Sequence, residues 1–254
     1  MASLDKLTYP SLSKPDYQRQ MDALQLALMS MQLSLFRNRQ RAVLVVEGPD
    51  GAGKGGLLRR ALRYMDPRSV RVHPTGAPDE RERGKHYLQR FWERLPKPGQ
   101  ISVFDRSWYG RLLIERVENG LHDVERARRE IAQFEQMLID DGILLFKILL
   151  YIDEETQRQR LLARLNNPEK HWKLTGSDLS AFQRYAEYQS AFEDLLEYSS
   201  SPVEWHLIPA NDKYYARVHA MQCVQDAWLA HFGAPAVAPI DPEFEQRARI
   251  LLER

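Results

Sequence analysis

A glycine-rich loop directly after an apolar segment carries the clearest chemical signal in the chain. Residues 41–47 read RAVLVVE, and residues 48–56 read GPDGAGKGG. The spacing GxxxxGK fits a Walker A phosphate loop, in which backbone N–H groups surround phosphate oxygens and Lys54 reaches over them. A chance glycine-rich turn is the alternative, but a strand before the loop and a helix after it favour phosphate binding. The predicted backbone contacts to phosphate are Gly48, Gly51, Ala52, Gly53, Gly55 and Gly56.

The loop departs from the usual pattern at two positions. Gly55 stands where serine or threonine normally offers a hydroxyl group to magnesium, and Asp50 lies inside the loop. A carboxylate that faces phosphate is repelled unless a cation lies between the two groups. We therefore expect Asp50 to help hold a metal ion, with Mg²⁺ as the first candidate and Mn²⁺ as the alternative.

A second cluster follows the apolar residues 101–104. It begins with Asp105 and Arg106 and continues to Arg111. Ligands of open parallel sheets sit beyond the carboxyl ends of the strands, where an aspartate can take the Walker B role and hold magnesium directly or through water. Arg106 and Arg111 would neutralise phosphate charge. An ordinary ion pair at a strand end is the alternative, and the presence of the phosphate loop favours the functional interpretation.

The elements that position these residues alternate between strands and helices. Such an order predicts a parallel sheet with helices on both faces, an α/β/α arrangement with five strands. We expect a helix over about 79–95 and another from 178 to about 198. The predicted strands are 41–47, 70–73, 101–104, 143–152 and 203–208.

Composition is that of an ordinary globular protein, with 254 residues, 43% hydrophobic and 28% charged. Cys223 is the single cysteine, which excludes an internal disulfide and a cysteine metal cluster, and we expect it to be a buried small residue. The start of the chain lacks a basic-then-apolar signal, and no apolar stretch approaches membrane-spanning length. These observations favour a cytoplasmic protein without a membrane partner.

The charge is unevenly distributed although the net charge is only +1. Residues 41–120 contain 16 lysines and arginines against 10 aspartates and glutamates. This excess around the phosphate loop suits a polyanionic ligand. No aromatic-interleaved basic module is present, so the sequence does not favour nucleic acid as a partner.

Three motifs in order resemble the type 2 polyphosphate kinases. They are GxDxxGKGG at 48–56, DRSWYGR at 105–111 and NPEKxWK at 167–173, and the resemblance covers roughly residues 15 to 232. It implies a P-loop kinase fold related to thymidylate kinase, and phosphate transfer between inorganic polyphosphate and nucleotides. The expected organisation is a single domain over 1–254, with an N-terminal helix at about 14–37, a helical lid at about 160–178 and a C-terminal extension at about 234–254.

The resemblance also implies roles for individual residues. Asp50 and Asp105 become the metal-linked acidic pair, while Lys54 and Arg106 contact the transferred phosphoryl group. Asp50 is also the candidate for positioning the accepting phosphate or taking a proton from it. The family habit further suggests a homo-oligomer, either a dimer or a tetramer.

Further cations belong to the expected lid and to the polyphosphate path. In the lid, Arg164 is the leading catalytic candidate, and Lys170 and Lys173 flank Trp172, which could instead anchor the loop in the core. Each lid cation could alternatively be a solvated surface charge. A long polyanion needs cations beyond the transfer point, and the candidates are Arg59, Arg60, Arg81 and Lys85.

Several functions remain open at this point. The Gly110–Arg111 ending of the second motif looks more like the family's nucleoside-monophosphate branch, which favours making ADP from AMP, although ADP and GDP are also candidate acceptors. An ATP-dependent nucleoside-monophosphate kinase is a second interpretation. A GTP-binding switch normally carries the motifs Asp-x-x-Gly and Asn-Lys-x-Asp, and neither stands at the corresponding positions of this sequence. An inactive nucleotide-binding regulator is a further alternative, and the candidate catalytic residues that the sequence retains argue against it: Asp50, Lys54, Asp105 and Arg106.

Overall fold

The computed structural model describes residues 4–235 and 240–253. Its centre is a parallel sheet of five strands in the order β2-β3-β1-β4-β5. This confirms the predicted α/β class and the number of strands, with boundaries within two residues of expectation. The strands are β1 Arg41–Glu47, β2 Val70–Pro74, β3 Gln100–Asp105, β4 Ile143–Tyr151 and β5 Trp205–Pro209.

Helices cover both faces of this sheet. Their bounds are α1 Lys14–Arg37, α2 Lys54–Ala61, α3 Gln89–Trp92, α4 Ile114–Asn119, α5 Val124–Asp140, α6 Glu154–Leu165, α7 Gly176–Gln183, α8 Tyr185–Tyr198, α9 Lys213–Phe232 and α10 Pro242–Leu252. Alternate residues of β1 point to opposite faces, so that Ala42 and Val46 join the core under α1, α2 and α9, while Val43 and Val45 join the core on the other face. The result is three layers.

Strand register brings the two chemical clusters together. β1 lies between β3 and β4, and Val46 is opposite Asp105 in the β1–β3 pair. Because all strands run in the same direction, the loops that follow Glu47 and Asp105 leave the same edge of the sheet. The phosphate loop and the second motif are therefore neighbours.

Local capping residues explain where several helices begin. Ser13, Asp153 and Asp212 are the N-caps of α1, α6 and α9, and each side chain accepts a hydrogen bond from a backbone N–H in the first turn. The N-terminal helix at 14–37 is confirmed. Asp212 accepts specifically from the Tyr215 N–H at 2.7 Å.

Two helix predictions are wrong. Only Gln89–Trp92 is helical within the stretch 79–95, because Asp79 accepts the N–H groups of Arg81 and Glu82 in a local turn, and Gly84 takes a left-handed φ of 75°. The single helix expected from 178 to about 198 is divided at Arg184 into α7 and α8.

The remaining expectations have mixed outcomes. Cys223 is half-buried rather than buried, and it packs against the core beneath α9. Helix α10 lies in the C-terminal extension, while residues 236–239 and 254 of that extension fall outside the described residues. None of the helices in the described ranges is long and apolar enough to cross a membrane.

Candidate active site

The phosphate loop connects β1 to the first turn of α2. Gly53 is the N-cap of α2 and has a left-handed φ of 105°, which favours glycine. The first N–H groups of a helix have no partner within the helix, and such groups at the start of α2 are suited to binding an anion. Gly48 has a separate requirement, because a Cβ atom there would lie 2.1 Å from the backbone oxygen of Leu150. Its role in the structure is close packing of the loop on β4.

Side chains of α6 hold the loop carbonyls from outside. Gln157 Nε2 donates to the Asp50 carbonyl at 2.9 Å, and Arg160 Nη1 donates to the carbonyls of Gly51 and Ala52 at 2.8 and 3.2 Å. The C=O and N–H of a trans peptide point in opposite directions. The N–H groups of Gly51 and Gly53 are therefore turned away from α6.

Ala52 uses its own N–H inside the loop. That group donates to the Pro49 carbonyl at 3.1 Å and closes a tight turn. The predicted contact between this N–H and phosphate would require the turn bond to be shared or exchanged.

Arg160 is a structural residue of the loop rather than a free cation of the lid. Besides its two loop bonds, its Nη2 donates to the carbonyls of Ala210 and Asn211 at 2.7 and 2.8 Å. One guanidinium group therefore joins α6, the phosphate loop and the connection from β5 to α9. The expected lid begins with a residue that is already committed to four backbone oxygens.

Charged groups of opposite sign meet at the start of the loop. Arg106 Nη2 donates to the carboxylate of Asp50, and Lys54 Nζ donates to the carbonyls of Gly48 and Pro49, the latter at 3.2 Å. Burial acts to raise the pKa of Asp50, but the charges of Lys54 and Arg106 outweigh it and hold that pKa below its usual value. Asp50 is therefore ionised at neutral pH.

Asp105 lies at the end of β3 and belongs to the same charge cluster. Its charge, together with that of Asp50, acts on Lys54 and Arg106. Within the part of the chain that the structure describes, no three metal-ligating side chains are gathered. A metal ion held here would take one or both carboxylates and complete its shell with phosphate oxygens and water, which is the coordination habit of Mg²⁺.

A cavity of about 1100 Å³ opens beside Asp50 and Arg106, and the residues after β2 and β3 form much of its wall. Arg111 lines it, stacks 5.1 Å from the ring centre of Tyr87 and pairs with Glu115. Its size, aromatic surface and charged groups suit an organic ligand with an anionic end. Further lining residues include Arg81, Lys85, His86, Glu118 and Tyr188.

Three cations gather near the first turn of α2, and we call Arg60, Lys213 and Arg217 the cation cluster. A Cβ atom at Gly56 would lie 3.5 Å from Arg217 Nη2 and 3.9 Å from Arg60 Nη1. Among the described residues, no carboxylate forms an ion pair with any of the three. Arg59 directly precedes Arg60 on α2 and is exposed.

Two cations of this cluster, Lys213 and Arg217, have pKa values below the usual ones. Burial lowers the pKa of Lys213, and the nearby charges of Arg160 and Arg217 lower it further. Burial and the charge of Arg60 lower the pKa of Arg217. The sequence analysis missed Lys213 and Arg217 as candidates, although their spacing of four residues at the start of a helix places them on one face.

The lid differs from expectation in two details. Arg164 is half-buried, and its Nη1 donates at 3.0 Å both to Asp178 Oδ1 and to the Lys173 carbonyl. Trp172 is 76% exposed, so it does not anchor the loop in the core, and Lys173 Nζ lies 4.8 Å from its ring centre. Lys170 and Lys173 are both exposed in the 3₁₀ helix Pro168–Lys173.

The sheet with helices on both faces and the glycine-rich loop at the end of β1 define a P-loop protein of the kinase type. The family model described as Polyphosphate kinase 2 (PPK2) matches residues 11–231. The chain belongs to the polyphosphate kinase 2 family, which confirms the resemblance carried by the three motifs.

Similarity to individual proteins extends over most of the chain. The chain is 41% identical over 220 residues to the polyphosphate:AMP phosphotransferase of Pseudomonas syringae pv. tomato, and the match covers 85% of this chain and 44% of that protein. It is 38% identical over 213 residues to a GDP-polyphosphate phosphotransferase of Mycobacterium tuberculosis, covering 83% of this chain and 72% of that protein. The chain thus spans about half the length of some curated relatives that it matches.

A solved structure shows the same architecture. The polyphosphate kinase 2 of Arthrobacter aurescens TC1 superposes with a TM-score of 0.89 at 31% identity, covering 98% of this chain and 92% of that chain. The agreement includes the sheet and the helices that position the phosphate loop, so the fold of the site is the fold of the family.

Proposed function

We propose that this protein transfers phosphoryl groups between inorganic polyphosphate and a nucleotide, and that it favours AMP as the acceptor. One arrangement supports this function above all: the phosphate loop lines the large cavity at residues 48–50, and the helix that follows the loop lies next to the cation cluster at Gly56. A polyanion at the cation cluster and a nucleotide in the cavity would meet at Asp50, Lys54 and Arg106. The names of the relatives from P. syringae and M. tuberculosis support the same class of reaction, with ADP and GDP as alternative acceptors.

The cation cluster suits the donor. Arg60, Lys213 and Arg217 are held near one another without acidic partners among the described residues, and such crowding of like charges is unfavourable until an anion arrives. A polyphosphate chain carries negative charge along its length, so it can contact several cations beyond the transfer point. Arg59 would extend the path along α2.

The cavity suits the acceptor. It reaches Asp50 and Arg106 at one end, and the stacked pair of Arg111 and Tyr87 forms part of its wall. A nucleotide in this cavity would place its phosphate near Arg106 and its base against aromatic surface. Arg81 and Lys85 line the same cavity, so they would neutralise acceptor charge rather than extend the donor path.

The residues at the junction would promote in-line transfer. An acceptor phosphate oxygen attacks the terminal phosphorus of polyphosphate, a new P–O bond forms, and the P–O bond to the rest of the polymer breaks. The attacking oxygen is already ionised at neutral pH, so alignment and charge neutralisation dominate over base catalysis. Lys54 and Arg106 would stabilise the transferred group, and the ionised Asp50 would orient the reacting phosphates.

The lid would protect this step from water. The lid cations lie at the end of α6 (Arg164) and in the 3₁₀ helix that connects α6 to α7 (Lys170 and Lys173). Closure of the lid would bring their charges over the phosphates. Exclusion of water directs the phosphoryl group to the nucleotide instead of hydrolysis.

Magnesium is the metal that the donor set fits best, with Mn²⁺ as the alternative. Asp50 and Asp105 are two carboxylates beside a phosphate loop, and the low pKa of Asp50 keeps it available as an anionic ligand. When bound, the ion would neutralise phosphate charge.

The decisive experiment supplies Mg²⁺, polyphosphate and AMP, ADP or GDP in separate reactions and resolves the nucleotides by chromatography. ADP formed from AMP is the expected product. Parallel reactions with ATP as the donor test the second candidate, since turnover with ATP and none with polyphosphate would identify a nucleoside-monophosphate kinase.

The control is the Asp105→Asn variant purified in the same way, which measures any copurifying kinase. If neither polyphosphate nor ATP transfers phosphate to any of the three nucleotides, the proposal is contradicted and a nucleotide-binding regulator is favoured.

A further inference from the structure

Glu47, the last residue of β1, is a buried carboxylate next to the site. It is 3% exposed, and its Oε1 accepts both the backbone N–H of Ser107 at 2.7 Å and the Ser107 hydroxyl at 2.8 Å. Ser107 directly follows Arg106. One carboxylate oxygen of β1 therefore holds the backbone at the point where the chain leaves β3.

The backbone of Arg106 needs such a restraint. Its φ is 64°, in the left-handed region that side chains other than glycine rarely adopt. Backbone conformations of this kind persist only where the surroundings hold them. The N–H of Arg106 itself donates to the Val46 carbonyl at 3.1 Å, so the last two residues of β1 bind the chain on both sides of the Arg106 Cα atom.

The restraint has a direct consequence for the reaction centre. From this backbone conformation the Arg106 guanidinium reaches the carboxylate of Asp50 in the phosphate loop. A glycine at 106 would adopt the same φ without strain, but it would carry no guanidinium group. The site therefore combines an unfavourable backbone conformation with a side chain that the chemistry needs.

We propose that Glu47 is a positioning residue for phosphoryl transfer: by holding Ser107, it fixes the backbone conformation from which Arg106 reaches the phosphate loop. The inference rests on the proposed function, because it requires a phosphoryl group beside Arg106. Glu47 is among the residues that line the cavity, but its Oε1 accepts both Ser107 donors, so the role assigned to it is exerted through Arg106.

The test is a double-mutant cycle between Glu47→Ala and Arg106→Ala, measured with polyphosphate and the acceptor that the wild-type protein uses. Glu47→Ala is expected to lower kcat about 100-fold, since a displacement of about 1 Å at a reacting group has effects of this size, and to change the nucleotide KM less than about 3-fold. In the Arg106→Ala background the same substitution is expected to lower kcat by no more than about a further 3-fold, because the group that Glu47 positions is already absent.

Two variants keep the test informative if Glu47→Ala does not fold. Glu47→Gln retains an oxygen acceptor for both Ser107 donors, so we expect it to keep kcat within about 10-fold of wild type. Glu47→Asp retains the charge but has a shorter side chain, and it is expected to lose kcat nearly as much as Glu47→Ala.

Glu135 provides a matched control for the loss of a buried glutamate. It is fully buried, and its carboxylate accepts from Lys147 at 2.9 Å and from the Trp108 indole at 3.0 Å, and it forms no hydrogen bond to Arg106 or Ser107 among the described residues. The effects of Glu135→Gln and Arg106→Ala on kcat are expected to multiply.

Each outcome supports or overturns the inference. If the wild-type protein is active and the effects of Glu47→Ala and Arg106→Ala on kcat multiply, the role of Glu47 is overturned and the proposed function stands. Failure of the wild-type protein to transfer phosphate from polyphosphate to any of the three nucleotides would overturn the proposed function and this inference together.

Discussion

Arg106 donates to the carboxylate of Asp50 across 56 residues of sequence, and this ion pair joins the phosphate loop to the end of β3. It exists because β1 and β3 are neighbours with Val46 opposite Asp105. Without substrate, each of the two charges neutralises the other. A phosphate group entering the loop would offer Arg106 a second anionic partner. A cation entering with the phosphate would offer Asp50 a second cationic partner.

Removal of either carboxylate tests the acidic pair. Asp50→Asn and Asp105→Asn are each expected to lower kcat at least about 100-fold, since both remove negative charge at the point where phosphates and a cation would meet. Circular dichroism and thermal unfolding would show whether the fold is intact. Asp141→Asn makes the same change at the opposite end of the sheet, where Asp141 pairs with Arg41, and should leave kcat unaltered. Near-normal activity of Asp50→Asn would contradict the assigned role.

Loss of the Arg160 guanidinium should destabilise the protein. Arg160→Ala leaves four backbone carbonyls without their donor, and we expect the free energy of unfolding to fall by about 2–4 kcal/mol, as measured by urea denaturation. Arg160→Lys should recover only part of this loss, because an ammonium group cannot reproduce the planar fork. Arg158 is exposed on the same helix, and Arg158→Ala should cost less than about 0.5 kcal/mol. Equal effects of the two alanine variants would show that the four bonds contribute little.

Polyphosphate affinity should depend on pH through Lys213. Burial and its cationic neighbours lower the pKa of this residue, so it loses its proton at a lower pH than an ordinary lysine and then no longer attracts the polyanion. As the pH rises toward the ordinary lysine pKa of about 10.4, the dissociation constant should rise by up to about tenfold, as measured by calorimetry. Lys213→Arg, which stays charged, should show a flatter profile.

The same shift affects stability in the opposite sense. Since the folded protein binds a proton at Lys213 less tightly than the unfolded chain does, the contribution of Lys213 to the free energy of unfolding should rise as the pH approaches the ordinary lysine pKa from below, in the absence of polyphosphate. A profile of polyphosphate affinity that is identical for wild type and Lys213→Arg would exclude Lys213 as the titrating group.

Arg164 can be tested against its own partner. If its function is to contact phosphate, Arg164→Ala should lower kcat about 100-fold, whereas Asp178→Asn, which breaks the same ion pair and leaves the cation, should lower it less than about 10-fold. Steady-state kinetics of the two variants, with thermal unfolding as the fold control, make the comparison. If both variants lose kcat equally, Arg164 acts only by holding Asp178 at the start of α7.

Sequence reasoning found the elements whose signals are local. The apolar runs predict all five strands to within two residues, because alternation and burial are readable within a few residues. It also brought Asp50 and Arg106 to one edge, since parallel strands share their carboxyl ends.

The missed features depend on contacts between distant segments. Glu47 looks like the last residue of a strand until Ser107 is placed beside it, and Arg160 looks like a lid cation until four carbonyls from two loops surround it. The sequence predicts a helix over 79–95, but the local bonds of the Asp79 carboxylate compete with the helix there.

Lid closure should be visible through Trp172. This side chain is 76% exposed between two lysines that the proposed function brings over the phosphates, so closure on polyphosphate would remove it from water and shift its fluorescence emission to shorter wavelength. Titration of the wild-type protein with polyphosphate should give this shift, and Trp172→Phe should lose it while the other four tryptophans remain. Trp92 is also partly exposed but lies on α3, away from the lid, so Trp92→Phe is the matched control and should retain the shift. An unchanged wild-type spectrum at saturating polyphosphate would mean that this segment does not close over the donor.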